Sequence, residues 1–243
     1  MTDLSQRGNR LVGASTLPPY LLAHFDRISD GSGPHPYVCL AVAENKLMWD
    51  LLSEKVNAVR DVPPESMNYG AKSGSEYLRE TVSTFASEAV WGTHMPADRL
   101  VVLSGAGTVI VAVSAVTGDE GRGVLLPTPT YAAYWMDNET RVGLHAVPAP
   151  MSASDGCGIS VDVLDETYRT SEIPITTLLL TNPSNPLGKV LDNEEIADAI
   201  AWGRSRGLHV VVNELYALTN YGDDPFVSAA TMSEPGDDLH YVW

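Results

Sequence analysis

The pattern of apolar and polar positions changes character near residue 100. Residues 1–36 keep no period. Gly, Ser and Pro interrupt them at Leu17-Pro18-Pro19 and again at Asp30-Gly31-Ser32-Gly33-Pro34, which predicts an irregular arm. A helix is predicted over 47–60. A second follows Ser73-Gly74-Ser75-Glu76, where Ser73 and Glu76 stand at capping-box spacing. Its apolar positions Tyr77, Leu78, Val82, Phe85 and Val90 mostly keep the helical period. Beyond residue 100, short apolar runs alternate with helical stretches. The runs at 100–103, 123–126, 144–147, 177–181 and 208–213 read as buried strands. The stretches 107–117, 130–139 and 193–206 read as helices. The last is well marked: Asp192 can cap it, Glu195 follows three residues on, Ile196 and Ile200 define one face, and Gly207 ends it. Strands alternating with helices predict an α/β fold, a mainly parallel sheet with helices on both faces. In such sheets ligands bind outside the carboxyl ends of the strands.

Composition narrows the function. The chain has 243 residues and a formal charge of −16, which argues against nucleic acid as a partner, because that needs clustered Lys and Arg. No apolar run approaches the roughly 18 residues that span a bilayer. The first residues, MTDLSQRGNRLVG, lack the apolar stretch of a secretory signal. Cys39 and Cys157 lie far apart with no CxxC spacing and read as reduced thiols of a cytoplasmic protein.

Four motifs sit where predicted strands end. Ser104-Gly105-Ala106-Gly107-Thr108 joins a strand to a helix; small residues and free N–H groups there suit a phosphate, or serve packing only. It is neither a GxGxxG turn nor a Walker loop, so a nucleotide-binding domain is a weak reading. Pro127-Thr128-Pro129-Thr130-Tyr131 delivers a ring to the sheet edge, either to stack on a flat ligand or as a loop cap. Thr181-Asn182-Pro183-Ser184-Asn185-Pro186-Leu187-Gly188 places two Asn-Pro pairs directly after a buried strand, more than a plain turn needs, and points to a functional amide. Asn213-Glu214-Leu215-Tyr216 puts a polar residue at a strand tip and a phenol three residues later.

In this order and spacing the four motifs resemble the class I/II aminotransferases, fold-type I enzymes that use pyridoxal 5′-phosphate (PLP). The resemblance covers roughly residues 37–243. Leu40-Ala41-Val42-Ala43-Glu44-Asn45-Lys46-Leu47 with Trp49-Asp50-Leu51-Leu52 is similar to a segment of the 1-aminocyclopropane-1-carboxylate (ACC) synthase branch. The resemblance implies that Ser104, Gly105 and Ala106 cradle the cofactor phosphate. It implies that Tyr131 stacks on the pyridine ring, and that Asn185 and Tyr216 hydrogen-bond the phenolate oxygen. Tyr69 matches a tyrosine that reaches the phosphate of a neighbouring subunit, and Glu44 a substrate-side residue. It also implies a homodimer and an amino-acid or S-adenosylmethionine-like substrate.

The sequence departs from that pattern twice. Position 213 is Asn where the family has Asp, the carboxylate that keeps the pyridine nitrogen protonated; an amide lacks that charge and predicts a weakened electron sink. The family's cofactor-holding lysine follows a strand that reads like Leu239–Trp243, and none of Lys46, Lys55, Lys72 or Lys189 stands there. The family's next strand runs antiparallel and inserts between the first sheet strand and the one ending this chain. The expectation is therefore a type I large domain incomplete at its C-terminus, with 1–60 as arm and small-domain part and 61–243 as the PLP-binding large domain. No catalytic residue is assigned. Such a chain is expected to be inactive alone, or to be a non-catalytic relative that binds PLP non-covalently or pairs with a complementary or full-length subunit.

Overall fold

Four of the apolar runs, together with the segment 239–242, pair into one parallel sheet. In the computed structural model, which describes residues 4–13, 19–30, 42–45, 47–222 and 225–243, the strands are β1 (Gly123–Thr128), β2 (His145–Pro150), β3 (Ile175–Thr181), β4 (His209–Asn213) and β5 (Leu239–Val242). Their order is β2-β1-β3-β4-β5. The register aligns the carboxyl ends: Thr181 lies opposite Asn213, and Asn213 opposite Val242. Side chains alternate between two cores, as a pleated strand requires. Leu125, Leu178, Leu180, Val210 and Val212 face one cluster; Val124, Leu126, Leu179 and Val211 face the other. Both faces are covered, which explains why the strands are continuous apolar runs in sequence.

The helices, numbered in chain order, are α1 (Gln6–Gly13), α2 (Pro19–Asp30), α3 (Trp49–Ala58), α4 (Glu76–Ala89), α5 (Ala106–Thr117), α6 (Ala133–Trp135), α7 (Val161–Thr170) and α8 (Asn193–Ser205). A π-helical turn, Met136–Val142, extends α6. α7 and α8 cover the first face, through Leu164 and through Ile196, Ala199, Ile200 and Trp202. Gly203 lets α8 approach closely, since a Cβ there would lie 2.9 Å from Val210 Cγ2. α5 and α6 cover the second face through Ile110 and Tyr134. The chain divides into two compact units, Met1–Gly70 and Ala71–Trp243, the second holding the whole sheet. The first carries α1, α2, α3 and a 3-10 turn at Pro64–Met67.

Several expectations need correction. The arm is not irregular throughout. It contains α1 and α2, and Pro19 opens a helix instead of breaking one, because the first helical position has no N–H obligation. Residues 100–103 form no strand: Val101 is 62% exposed and the Val102 N–H donates to the Ser73 carbonyl. A strand exists only by pairing, and β5 ends the sheet with no further strand beside it among the described residues. The cap of α4 is Ser75, directly before the first helical residue Glu76, and its hydroxyl accepts from the Leu78 N–H at 3.2 Å; Ser73 stands two residues earlier, its carbonyl accepting from the Val102 N–H. At α8, Asp192 caps as expected, accepting from the Glu194 and Glu195 N–H groups. Glu195 does not reach back to the cap; its carboxylate accepts from the Ile159 N–H at 2.9 Å. α7 carries no expectation at all from the sequence.

Candidate functional site

The carboxyl ends of β1, β3 and β4 lead into three of the four motifs, and the fourth starts α5, which covers the second face of the sheet. Gly105 precedes α5 with φ +82° and ψ 158°, a conformation open essentially to Gly alone. A Cβ built at Gly105 or at Gly107 would meet nothing within 4 Å. The backbone at this helix start is therefore open, and its first N–H groups have no intrahelical acceptor. Thr108 secures the turn by donating to the Ser104 carbonyl at 2.9 Å. Ser104 and Gly105 are exposed, while Ala106 packs against the core beneath α5.

The Asn-Pro loop is fastened at its base. Asn182 is buried, and its Oδ1 accepts from the Leu191 N–H at 2.9 Å, closing residues 182–191. The Ser184 N–H donates to the Lys189 carbonyl at 2.8 Å. This holds Asn185 at the rim, where its Nδ2 donates to the Tyr216 hydroxyl at 3.3 Å. Two residues from separate loops, expected to share one ligand atom, thus meet. Tyr131 is 38% exposed and stands edge-on to Tyr134, with ring centroids 5.5 Å apart. Asn213 is buried at the end of β4. Its Nδ2 donates to the Tyr134 hydroxyl at 2.8 Å and its Oδ1 accepts from the Leu215 N–H at 3.1 Å.

Two residues that the sequence did not single out shape this edge. Tyr134 is 1% exposed and its hydroxyl lies 2.7 Å from Thr181 Oγ1. Burial pushes its pKa above the ordinary phenol value, so it stays protonated. In sequence it is one more aromatic on a helical stretch; its partners are remote, and no spacing marks them. Glu214 is fully buried next to Asn213 and accepts from the Ser228 hydroxyl and the Ala229 N–H, both at 2.7 Å. Burial outweighs these bonds and raises its pKa to about 7. The two bonds fasten the segment after β4, which carries Tyr216.

Glu44 and Tyr69 belong to the first unit, and both side chains are exposed. Lys46 and Cys39 lie outside the described residues. Lys189 donates to the Gly156 carbonyl at 2.5 Å, and Lys55 and Lys72 are exposed. Cys157 is a free thiol, and no cluster of metal-ligating side chains occurs among the described residues. None of their helices is long and apolar enough to cross a membrane.

The polar motifs lie at the carboxyl edge of a parallel α/β sheet, the edge at which such sheets bind ligands. Residues 37–242 match the family of class I and II aminotransferases, and the chain belongs to that family. It is 31% identical over 225 residues to 1-aminocyclopropane-1-carboxylate synthase 6 of Arabidopsis thaliana, covering 85% of this chain and 45% of that protein. It is 28% identical over 215 residues to the 1-aminocyclopropane-1-carboxylate synthase of Nicotiana tabacum, covering 81% and 43%. The chain thus spans about half the length of the curated relatives it matches. An aspartate aminotransferase structure from Thermotoga maritima shares the fold, with a TM-score of 0.76, 18% identity, and coverage of 98% of this chain and 60% of that one. The family is PLP-dependent. The residues present fit that cofactor: the backbone at Gly105 and Gly107 leaves room for an anion at a helix start, and the Asn185–Tyr216 pair presents polar groups at the same sheet edge.

Proposed function

We propose that this chain forms the cofactor cradle of an ACC synthase-like, PLP-dependent enzyme acting on an amino acid or an S-adenosylmethionine-like substrate. The observation that carries the reading is the Asn185–Tyr216 hydrogen bond, which joins two separate loops at the sheet edge. Bound PLP supplies an electron sink for carbanion chemistry. The chain's own residues bind and orient it. Ser104, Gly105 and Ala106 receive the phosphate through backbone N–H groups at the start of α5. Tyr131 offers its face to the ring. Asn185 and Tyr216 direct their polar groups at the phenolate oxygen, and Asn213 meets the ring nitrogen. Tyr69 and Glu44 serve a neighbouring subunit's phosphate and the substrate, in a homodimer or in a pairing with a complementary or full-length subunit.

None of the lysines in these residues, Lys46, Lys55, Lys72 and Lys189, matches the family's cofactor-holding lysine, so these 243 residues are expected to hold PLP without a covalent bond. A second reading, a non-catalytic relative that binds PLP or docks on a full-length subunit, is favoured by Asn213. Absorbance titration with PLP followed by borohydride reduction and mass spectrometry tests the proposal. It predicts saturable binding with no lysine adduct, weakened by Asn185→Ala. A site-specific lysine adduct, or no binding, would refute it. A pull-down with a full-length homologous subunit distinguishes the second reading.

A further inference from the structure

Three buried side chains from three elements meet at the sheet edge. Thr181 and Asn213 end β3 and β4 and lie opposite each other in register. Tyr134, from α6, places its hydroxyl 2.7 Å from Thr181 Oγ1 and 2.8 Å from Asn213 Nδ2. Hydrogen-bond accounting fixes the orientation of the amide in this group. The Leu215 N–H can only donate, so the atom facing it at 3.1 Å is Asn213 Oδ1. The atom facing Tyr134 is then Nδ2, and the phenol oxygen accepts from it. The phenol and the Thr181 hydroxyl share the remaining contact. A flipped amide would bring Nδ2 against the Leu215 N–H, donor to donor, and would lose that hydrogen bond. The amide therefore has one orientation. Its second Nδ2 hydrogen has no acceptor among the described residues.

We infer that Tyr134 is a positioning residue that locks the Asn213 amide as a hydrogen-bond donor, and that the site selects a PLP ring presenting a nitrogen lone pair, that is, an unprotonated pyridine nitrogen. The inference rests on the proposed PLP cradle. A carboxylate at 213 would accept a hydrogen bond and favour the protonated ring. The locked amide does the reverse: a lone pair meets a donor, whereas a ring N–H⁺ meets like polarity. Tyr134 touches neither ring nor substrate; it acts through Asn213.

The experiment loads the 243-residue chain with PLP carrying ¹⁵N in the ring and records the nitrogen resonance at pH 7. In parallel it compares the affinity for PLP with that for the deaza analogue, in which C–H replaces the ring nitrogen, and for the N-methylated, permanently cationic analogue. An unprotonated resonance is expected, with PLP bound about tenfold tighter than either analogue, the worth of one good hydrogen bond. Asn213→Asp should move the resonance to the protonated position. Tyr134→Phe should cut the discrimination to about threefold or less while leaving the phosphate cradle intact. If circular dichroism shows that Tyr134→Phe does not fold, Thr181→Val, which removes the phenol's hydroxyl partner, serves the same comparison. Bound PLP with a protonated nitrogen, or discrimination unchanged in a folded Tyr134 or Thr181 variant, overturns the inference and leaves the cradle standing. Failure of the chain and of every variant to bind PLP or either analogue overturns the cradle and the inference together.

Discussion

Glu214→Gln should remove a pH dependence of stability that the structure builds into the sheet edge. The Glu214 carboxyl is fully buried, takes two hydrogen bonds from Ser228 and Ala229, and pairs with no Lys or Arg among the described residues. Burial lifts its pKa from 4.5 to about 7. The folded state therefore holds a proton that the unfolded state has released between those two values. The stability this contributes is full below about pH 4.5 and lost as pH rises through about 7. At about 1.4 kcal/mol per pH unit, the loss is about 3 kcal/mol. Gln keeps the geometry: its carbonyl accepts from the Ala229 N–H and its amide donates to the Ser228 hydroxyl. Urea unfolding followed by tryptophan fluorescence at pH 4.5, 6 and 8 is the assay. The difference between variant and wild type should shift in favour of Gln by about 3 kcal/mol from the lowest pH to the highest. A difference that stays constant with pH would refute the reasoning, because a carboxyl that ionises equally in both states contributes no slope. Tyr241 lies close enough for the Glu214 charge to add to the burial that raises its pKa to about 12, so its titration should move down in the variant.

Other substitutions test other parts. Gly105→Ala forces a side chain into a conformation of φ +82°, ψ 158° and should cost about 1–3 kcal/mol, read as a lower urea midpoint; an unchanged midpoint contradicts the turn geometry. Ser75→Ala should cost about 1 kcal/mol through loss of the α4 cap, while Ser73→Ala should stay within about 0.5 kcal/mol; equal effects would return the cap to the capping-box reading. Tyr216→Phe removes the hydroxyl that Asn185 meets and should weaken PLP binding about three- to tenfold with the thermal midpoint unchanged.

The strands at 123–126, 144–147, 177–181 and 208–213 were legible because helices cover both faces of the sheet, which makes each strand a continuous apolar run. The run at 100–103 has the same composition and forms no strand, since apolarity does not supply a hydrogen-bonding neighbour. α7 was missed although Val161, Leu164 and Tyr168 keep a helical spacing and Ser160 caps it, accepting from the Val163 N–H; its many acidic positions hid the stripe. Of the site, what was legible was what local chemistry marks: the glycine turn and the paired Asn-Pro steps. Tyr134 was not, because its role depends on Thr181 and Asn213, 47 and 79 residues away. The burial of Glu214 likewise follows from the segment ending at Ala229, which folds over it.

Comparative calorimetric titration of the chain with PLP and with pyridoxal, which lacks the phosphate, tests the central claim most directly. The claim is that the start of α5 and the Asn185–Tyr216 pair together form a PLP cradle. It predicts one saturable PLP site, with pyridoxal bound at least about tenfold more weakly because the helix start then holds no anion. Equal binding of the two, or no saturable binding of PLP, would contradict it.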